Sequence, residues 1–230
     1  RFIDAQIRRT KDYSWRHYLP RAKAKRGWRG RRGGKVVDRI EGRVAIDRRP
    51  AYIHKRRQPG HWEADLMLFA KYGQAVLVAH ERRSRLLVVS RQPNKAAEPV
   101  ATKLIEMFRS LPKSLRRTIT FDNGTEFSYH HRLHRLEMRT FFCDPHAPWQ
   151  KGGIENGIGR MRRGLPRKTD LATLSDQRLL SLLRSYNHTP RKCLNYKTPA
   201  EVFIGDLLHF KCESTFPRFR GNDGLGLLTS

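Results

Sequence analysis

Three strand-length apolar runs follow one another between His61 and Gln92, with only short turns between them. HWEADLMLFA (61–70) leads through KYGQ to AVLVAHE (75–81), and RRSR leads on to LLVVSRQ (86–92). Such runs, joined by turns too short for a crossover, predict an antiparallel meander. The period then changes. In AAEPVATKLIEMFRSLP (96–112), Val100, Leu104, Met107, Phe108 and Leu111 recur at helical spacing, and Pro112 ends the helix. A fourth strand, TITFD (118–122), is reached through that helix and is therefore expected to lie parallel to an earlier one. GTEFSYHHRLHRLE (124–137) reads as a helix and RTFFCD (139–144) as a fifth strand. IENGIGRMRRGL (154–165) and DQRLLSLLRSYNH (176–188) read as helices, and TPAEVF (198–203) as a short turn or helix.

This order predicts an α/β fold, a mixed five-stranded sheet flanked by helices on both faces. It is the order of a ribonuclease H-like domain of the kind found in retroviral integrases. The core is expected over 58–206. Before it, 1–57 reads as a basic arm and linker whose first residues look like the end of a helix. After it, 207–230 has no clear periodicity and reads as an irregular tail.

The chain has 48 Lys and Arg against 21 Asp and Glu, a net charge of +27. That balance points to a polyanionic partner, with DNA the first candidate over an acidic membrane surface. No apolar run approaches the roughly 20 residues needed to span a bilayer, so no membrane is expected. No leader peptide is evident, and the reading is a cytoplasmic, nucleoid-associated protein. Residues 21–35 carry eight basic residues, four glycines and no acid. Arg26, Arg29, Arg31 and Arg32 there are expected to lie on phosphates, with Trp28 free to stack. Three scattered cysteines form no disulfide framework. Cys143 reads as a buried thiol, and the Cys143/His146 spacing lacks the second pair that a zinc site needs.

Against this basic background three acids stand out. Asp65 lies inside the first strand and shares a face with Glu63, Met67 and Phe69. A carboxylate there is costly unless paired or metal-bound, so it is either a ligand or a salt bridge to one of the many arginines. Glu63 beside it is a supporting group, or else a solvated or ion-paired one. Asp122 ends an apolar strand before an Asn-Gly turn, where it is a ligand at the carboxyl end of the sheet or merely an Asx turn. Glu155 opens a basic helix, with Arg162 two turns on along the same face. Two strand carboxylates and a helix carboxylate suit hard divalent cations, two Mg²⁺ or Mn²⁺ ions clamping a phosphodiester. Lys151, Asn156, Arg160, Arg162 and Arg163 are expected to position a DNA backbone. Glu126 reads as a first-turn helix residue, and His130, His131 and His134 as surface or DNA-side groups.

The runs PGHWEADLM, TFDNGTEF, FCDPHAPWQKGGIENGIGRMRRGLPRKTDL and YNHTPRKCLNYKTPAEVF resemble bacterial insertion-sequence transposases of the IS-thirty family, across roughly 36–204. The resemblance implies a DDE transposase with an integrase-like core, whose triad is Asp65, Asp122 and Glu155. The 32 residues between Asp122 and Glu155 are close to that family's spacing. It implies metal-dependent cleavage at transposon ends, strand transfer into target DNA, and multimers acting on paired ends. The sequence departs from the family pattern at Ala64 and Ile154. The family's N-terminal helix-turn-helix units are expected to lie before this chain begins. The alternative is a truncated, catalytically inactive DNA-binding remnant.

Overall fold

The computed structural model describes residues 2–18, 40–70, 74–92, 94–145 and 147–211. Two compact units are separated at Val37/Asp38. In the first, helix α1 (Phe2–Thr10) is followed by a 3₁₀ turn over Tyr13–Tyr18. Asp12 initiates that turn by accepting from the Ser14 N–H at 2.8 Å, and Trp15 sits edge-on to Phe2 at 6.2 Å. Arg26, Arg29, Arg31, Arg32 and Trp28 lie outside the described residues, as do His146 and the tail from 212 onward.

The second unit is built on a five-stranded sheet. Its strands are β1 (His61–Leu68), β2 (Ala75–Glu81), β3 (Leu87–Gln92), β4 (Thr118–Phe121) and β5 (Arg139–Phe142), in the order β3-β2-β1-β4-β5. The meander pairs antiparallel, as the short turns require, and β4 and β5 add in parallel beyond β1. Helix α2 (Ala97–Arg109) makes the crossover to β4. Helices α3 (Gly152–Met161), α4 (Asp176–Asn187) and α5 (Pro199–Lys211) follow the sheet.

Side-chain alternation along the strands builds a core on each face. Trp62, Ala64, Leu66, Leu77 and Ala79 point to one side, against Leu104 and Phe108 of α2 and Phe203 and Leu207 of α5. Met67, Val76, Val78 and Leu87 point to the other, against Ile154 and Met161 of α3 and Leu179 and Leu183 of α4. Glu63 and Asp65 belong to this second face. This is the helix-covered mixed sheet of the ribonuclease H-like fold.

Three sequence expectations need correction. Residues 124–137 form two 3₁₀ segments, Thr125–Phe127 and His130–Leu136, in place of one α-helix. The cause is a three-residue period: Phe127, His130 and Leu133 are buried and Leu136 packs beside them, and three residues per turn is the 3₁₀ repeat. His130 is accordingly an interior group, with its ring nitrogens 2.8 Å from the Thr140 hydroxyl and 3.0 Å from the Glu41 carbonyl. Of the three histidines, His131 and His134 alone are exposed.

The expected short turn at 198–203 is the first half of α5, which runs on to Lys211, past the expected end of the core. Thr198 and Glu201 form a reciprocal capping box (3.1 and 2.8 Å) with Pro199 at the first helical position. Residues 40–57, expected in the arm, pack on the core. Ile40, Ile46 and Ile53 are buried, Arg49 donates to the Thr120 hydroxyl at 2.9 Å, and Ala45 bridges Phe142 at the sheet edge.

Candidate active site

Strand register brings two of the three acids together. β1 and β4 pair in parallel with His61 opposite Thr118 and Glu63 opposite Thr120. Continuing that register two residues past the paired segment sets Asp65 beside Asp122. Each carboxylate is oriented locally. Asp65 accepts from the Leu66 N–H at 2.8 Å, and Asp122 from the Gly124 N–H at 3.1 Å, closing an Asx turn. Asn123 ties that turn to the end of β5 by donating to the Cys143 carbonyl at 2.8 Å, while Arg43 donates to its side-chain oxygen at 2.6 Å.

The group between the two carboxylates is Lys151. Its ammonium lies 3.3 Å from Asp65 Oδ2, 3.2 Å from Asp122 Oδ2 and 3.3 Å from the Ala64 carbonyl. The lysine side chain is 6% exposed, against 22% for Asp65 and 42% for Asp122. Lys151, expected on the basic surface, is thus placed inside the site. Burial raises the Asp65 carboxyl, as does the facing Asp122, and Lys151 opposes them. Burial alone would lower the Lys151 ammonium; the two carboxylates outweigh it and hold its pKa above the ordinary lysine range.

Glu155 sits in the first turn of α3 and is exposed. Its helix is set by a buried carboxylate. Glu63, fully buried, pairs with Arg82 and accepts from the Ile154 N–H at 2.9 Å. Burial alone would raise the Glu63 carboxyl, but His80, Arg82 and the Ile154 N–H hold it down to about 2. A carboxylate at a helix N-terminus also satisfies the helix dipole. Gly153 makes this approach possible, since a Cβ there would lie 2.7 Å from Glu63 Oε2. Glu63 is therefore ion-paired and buried, not solvated.

The basic residues at the end of α3 and just past it divide. Arg162 packs back on the end of β1, with its guanidinium donating to the Leu68 carbonyl and lying 4.6 Å from the Phe69 ring centroid. Arg160 and Arg163 are exposed, and Arg160 donates to Asn156 at 3.3 Å. Cys143 is buried, which pushes its thiol up to about 11.

Two carboxylate oxygens converging on one cation form a hard-oxygen pair, the donor type that Mg²⁺ or Mn²⁺ takes. The ammonium of Lys151 marks where positive charge is held. Among the described residues no group of three His, Cys, Asp or Glu is gathered at metal-binding range, so Glu155 does not join the pair in this arrangement. No local pattern around Lys151 marks its side chain as inward. The Glu63–Ile154 anchor was half visible, because alternation puts Glu63 on the face of Asp65.

No family model matches the chain. It is 38% identical over 188 residues to the transposase for insertion sequence element IS1086 of Cupriavidus metallidurans, a match covering 80% of this chain and 54% of that one. It is 35% identical over 173 residues to transposase InsI for IS30A of Escherichia coli, covering 75% and 45%. To the transposase for IS4351 of Bacteroides fragilis it is 33% identical over 176 residues, covering 75% and 54%. The chain spans about half the length of these curated relatives. In structure it is similar to the catalytic core domain of BIV integrase, with a TM-score of 0.53 and 21% identity, covering 66% of this chain and 98% of that one. The fold is that of a retroviral integrase core.

Proposed function

We propose that this chain, a relative of the IS-thirty insertion-sequence transposases, is the catalytic domain of a DNA transposase, a polynucleotidyl transferase that cuts transposon ends and joins them to target DNA. The observation that carries this reading is the pair Asp65 and Asp122, set side by side by parallel strand register and converging on one buried cation.

Asp65, Asp122 and Glu155 would hold two divalent cations, Mg²⁺ or Mn²⁺. When bound, these ions supply the charge that activates the attacking oxygen and stabilises the leaving one. The protein's own part is placement. Register fixes Asp65 and Asp122, and the Glu63–Arg82 pair fixes the start of α3 and therefore where Glu155 departs from the helix. Asn156 and Arg160 of α3 and Arg163 just past its end are exposed, and a phosphate backbone would lie against them. The net charge of +27 favours a polyanion throughout. Multimers on paired ends and a nucleoid-associated location belong to the same reading. Among the described residues no helix is long and apolar enough to cross a membrane. The alternative of an inactive remnant has less support, because all three carboxylates are retained.

The test is incubation of the chain with a labelled, pre-cut DNA end and a plasmid, in Mg²⁺ and in EDTA. Joined product in Mg²⁺ alone supports the proposal. Cutting without joining indicates a simple nuclease, and metal-independent binding with neither indicates the remnant.

A further inference from the structure

At and just past the C-terminal ends of α3 and α4 lies an open cavity of about 250 Å³. Arg160, Arg163 and Arg191 line it, together with Ser185, Tyr186 and Thr189. Arg191 is buried, at 8% exposure. Its guanidinium donates to the Tyr186 carbonyl at 2.9 Å, lies 4.5 Å from the Tyr186 ring centroid, and leaves Nε without a partner. Among the described residues no carboxylate forms an ion pair with any of the three arginines.

Three like charges around one cavity repel one another, and a buried charge is costly without a counter-charge. Burial lowers the pKa of Arg191; Arg160 and Arg163 lower it further, against an opposing contribution from Tyr186. What the cavity lacks is an anion. Guanidinium groups match phosphate oxygens in geometry as well as charge, and the Ser185 hydroxyl adds a neutral donor at the lining.

We infer that this cavity is a phosphate pocket in which Arg160, Arg163 and Arg191 hold one backbone phosphate of the DNA engaged by the carboxylate site. The inference rests on the proposed DNA-joining function. It adds a fixed anchor, partly buried, on a strand passing along α3. The same pocket chemistry would accept free inorganic phosphate, and the two sources are separable.

The experiment measures equilibrium binding of a DNA duplex in EDTA across a series of salt concentrations. Ser185→Glu puts a carboxylate at the lining and leaves every arginine in place. Gln177→Glu makes the same charge change two turns earlier on α4, away from the pocket. Arg163→Gln is the second pocket variant, and thermal melting checks that all are folded. The expected result is a log K against log salt slope shallower by about 0.9 for Ser185→Glu and for Arg163→Gln, equivalent to one fewer phosphate neutralised, with Gln177→Glu matching wild type. Equal slopes in all four proteins, with wild type binding and joining DNA, overturn the pocket and leave the proposed function standing. Equal slopes together with a wild-type melting rise in inorganic phosphate that Ser185→Glu lacks assign the pocket to free phosphate and overturn the DNA assignment. A wild type that does not bind DNA overturns both readings.

Discussion

Lys151 and Asp122 form an ion pair at 3.2 Å in which the cation is the more buried partner, 6% exposed against 42%. The same ammonium reaches Asp65 at 3.3 Å. Two carboxylates that would repel each other in the sheet are held together by an internal positive charge.

Any divalent cation taken by Asp65 and Asp122 meets that ammonium in competition. Lys151→Met removes the competitor and leaves the two carboxylates uncompensated. Without metal the variant is expected to melt below wild type. Its affinity for Mn²⁺ should rise roughly tenfold, about 1.4 kcal/mol. In a protein of this size that corresponds to a metal-induced melting rise about 3–5 °C larger than wild type shows. Equal rises in the two proteins would mean that Lys151 and the metal do not share these oxygens.

Gly153 is the second sensitive point. Alanine in place of glycine ordinarily favours a helix by about 1 kcal/mol. Here the added methyl would sit 2.7 Å from Glu63 Oε2 and 2.9 Å from His80 Cε1, both buried groups with little room to yield. Overpacking should win. Gly153→Ala is expected to lose about 1–3 kcal/mol in urea unfolding. DNA joining should fall further than stability alone explains, because α3 carries Glu155.

His61 should contribute to acid sensitivity. Its ring is buried against Thr118 at 2.9 Å, and its pKa is pushed down to about 4, first by burial and then by Arg117, Arg82 and Arg49. The unfolded chain takes up a proton near pH 6.5, which the folded protein resists down to about 4. His61 thus contributes stability that is fully present above pH 6.5 and is lost as the pH falls through about 4. The contribution is at most about 3 kcal/mol. Chemical denaturation between pH 7 and 4 should show this loss in wild type and a flatter profile in His61→Gln.

Much of the fold was legible because periodicity carries it. Three short-turned strands could only form a meander, and a strand reached through α2 had to run parallel. The 124–137 segment misled because Leu133 and Leu136 suit an α-helix, while the Phe127–His130–Leu133 period of three marks a tighter turn. α5 is longer than TPAEVF suggests, because the Thr198–Glu201 capping box starts a helix that continues to Lys211. At the site, Asp65 and Asp122 were visible as acids on apolar strands. Their convergence depends on a register that no local pattern encodes. For Lys151 charge alone favours solvent, and only the facing carboxylates reverse that preference. Spacing puts Arg162 on the face of Glu155, but it does not encode the pull of the Leu68 carbonyl and Phe69 ring.

The most direct test concerns Glu155, which stands exposed on α3 while Asp65 and Asp122 share Lys151. In the proposed reaction all three carboxylates serve one metal-dependent step. Mg²⁺-dependent joining of a labelled, pre-cut DNA end should be compared between wild type and Glu155→Gln, with DNA binding measured in parallel. The predicted result is a loss of joining of at least about 100-fold, on the order of 2.7 kcal/mol or more in barrier, with binding unchanged. Joining that persists in Glu155→Gln at the wild-type rate would contradict a shared role for the three carboxylates.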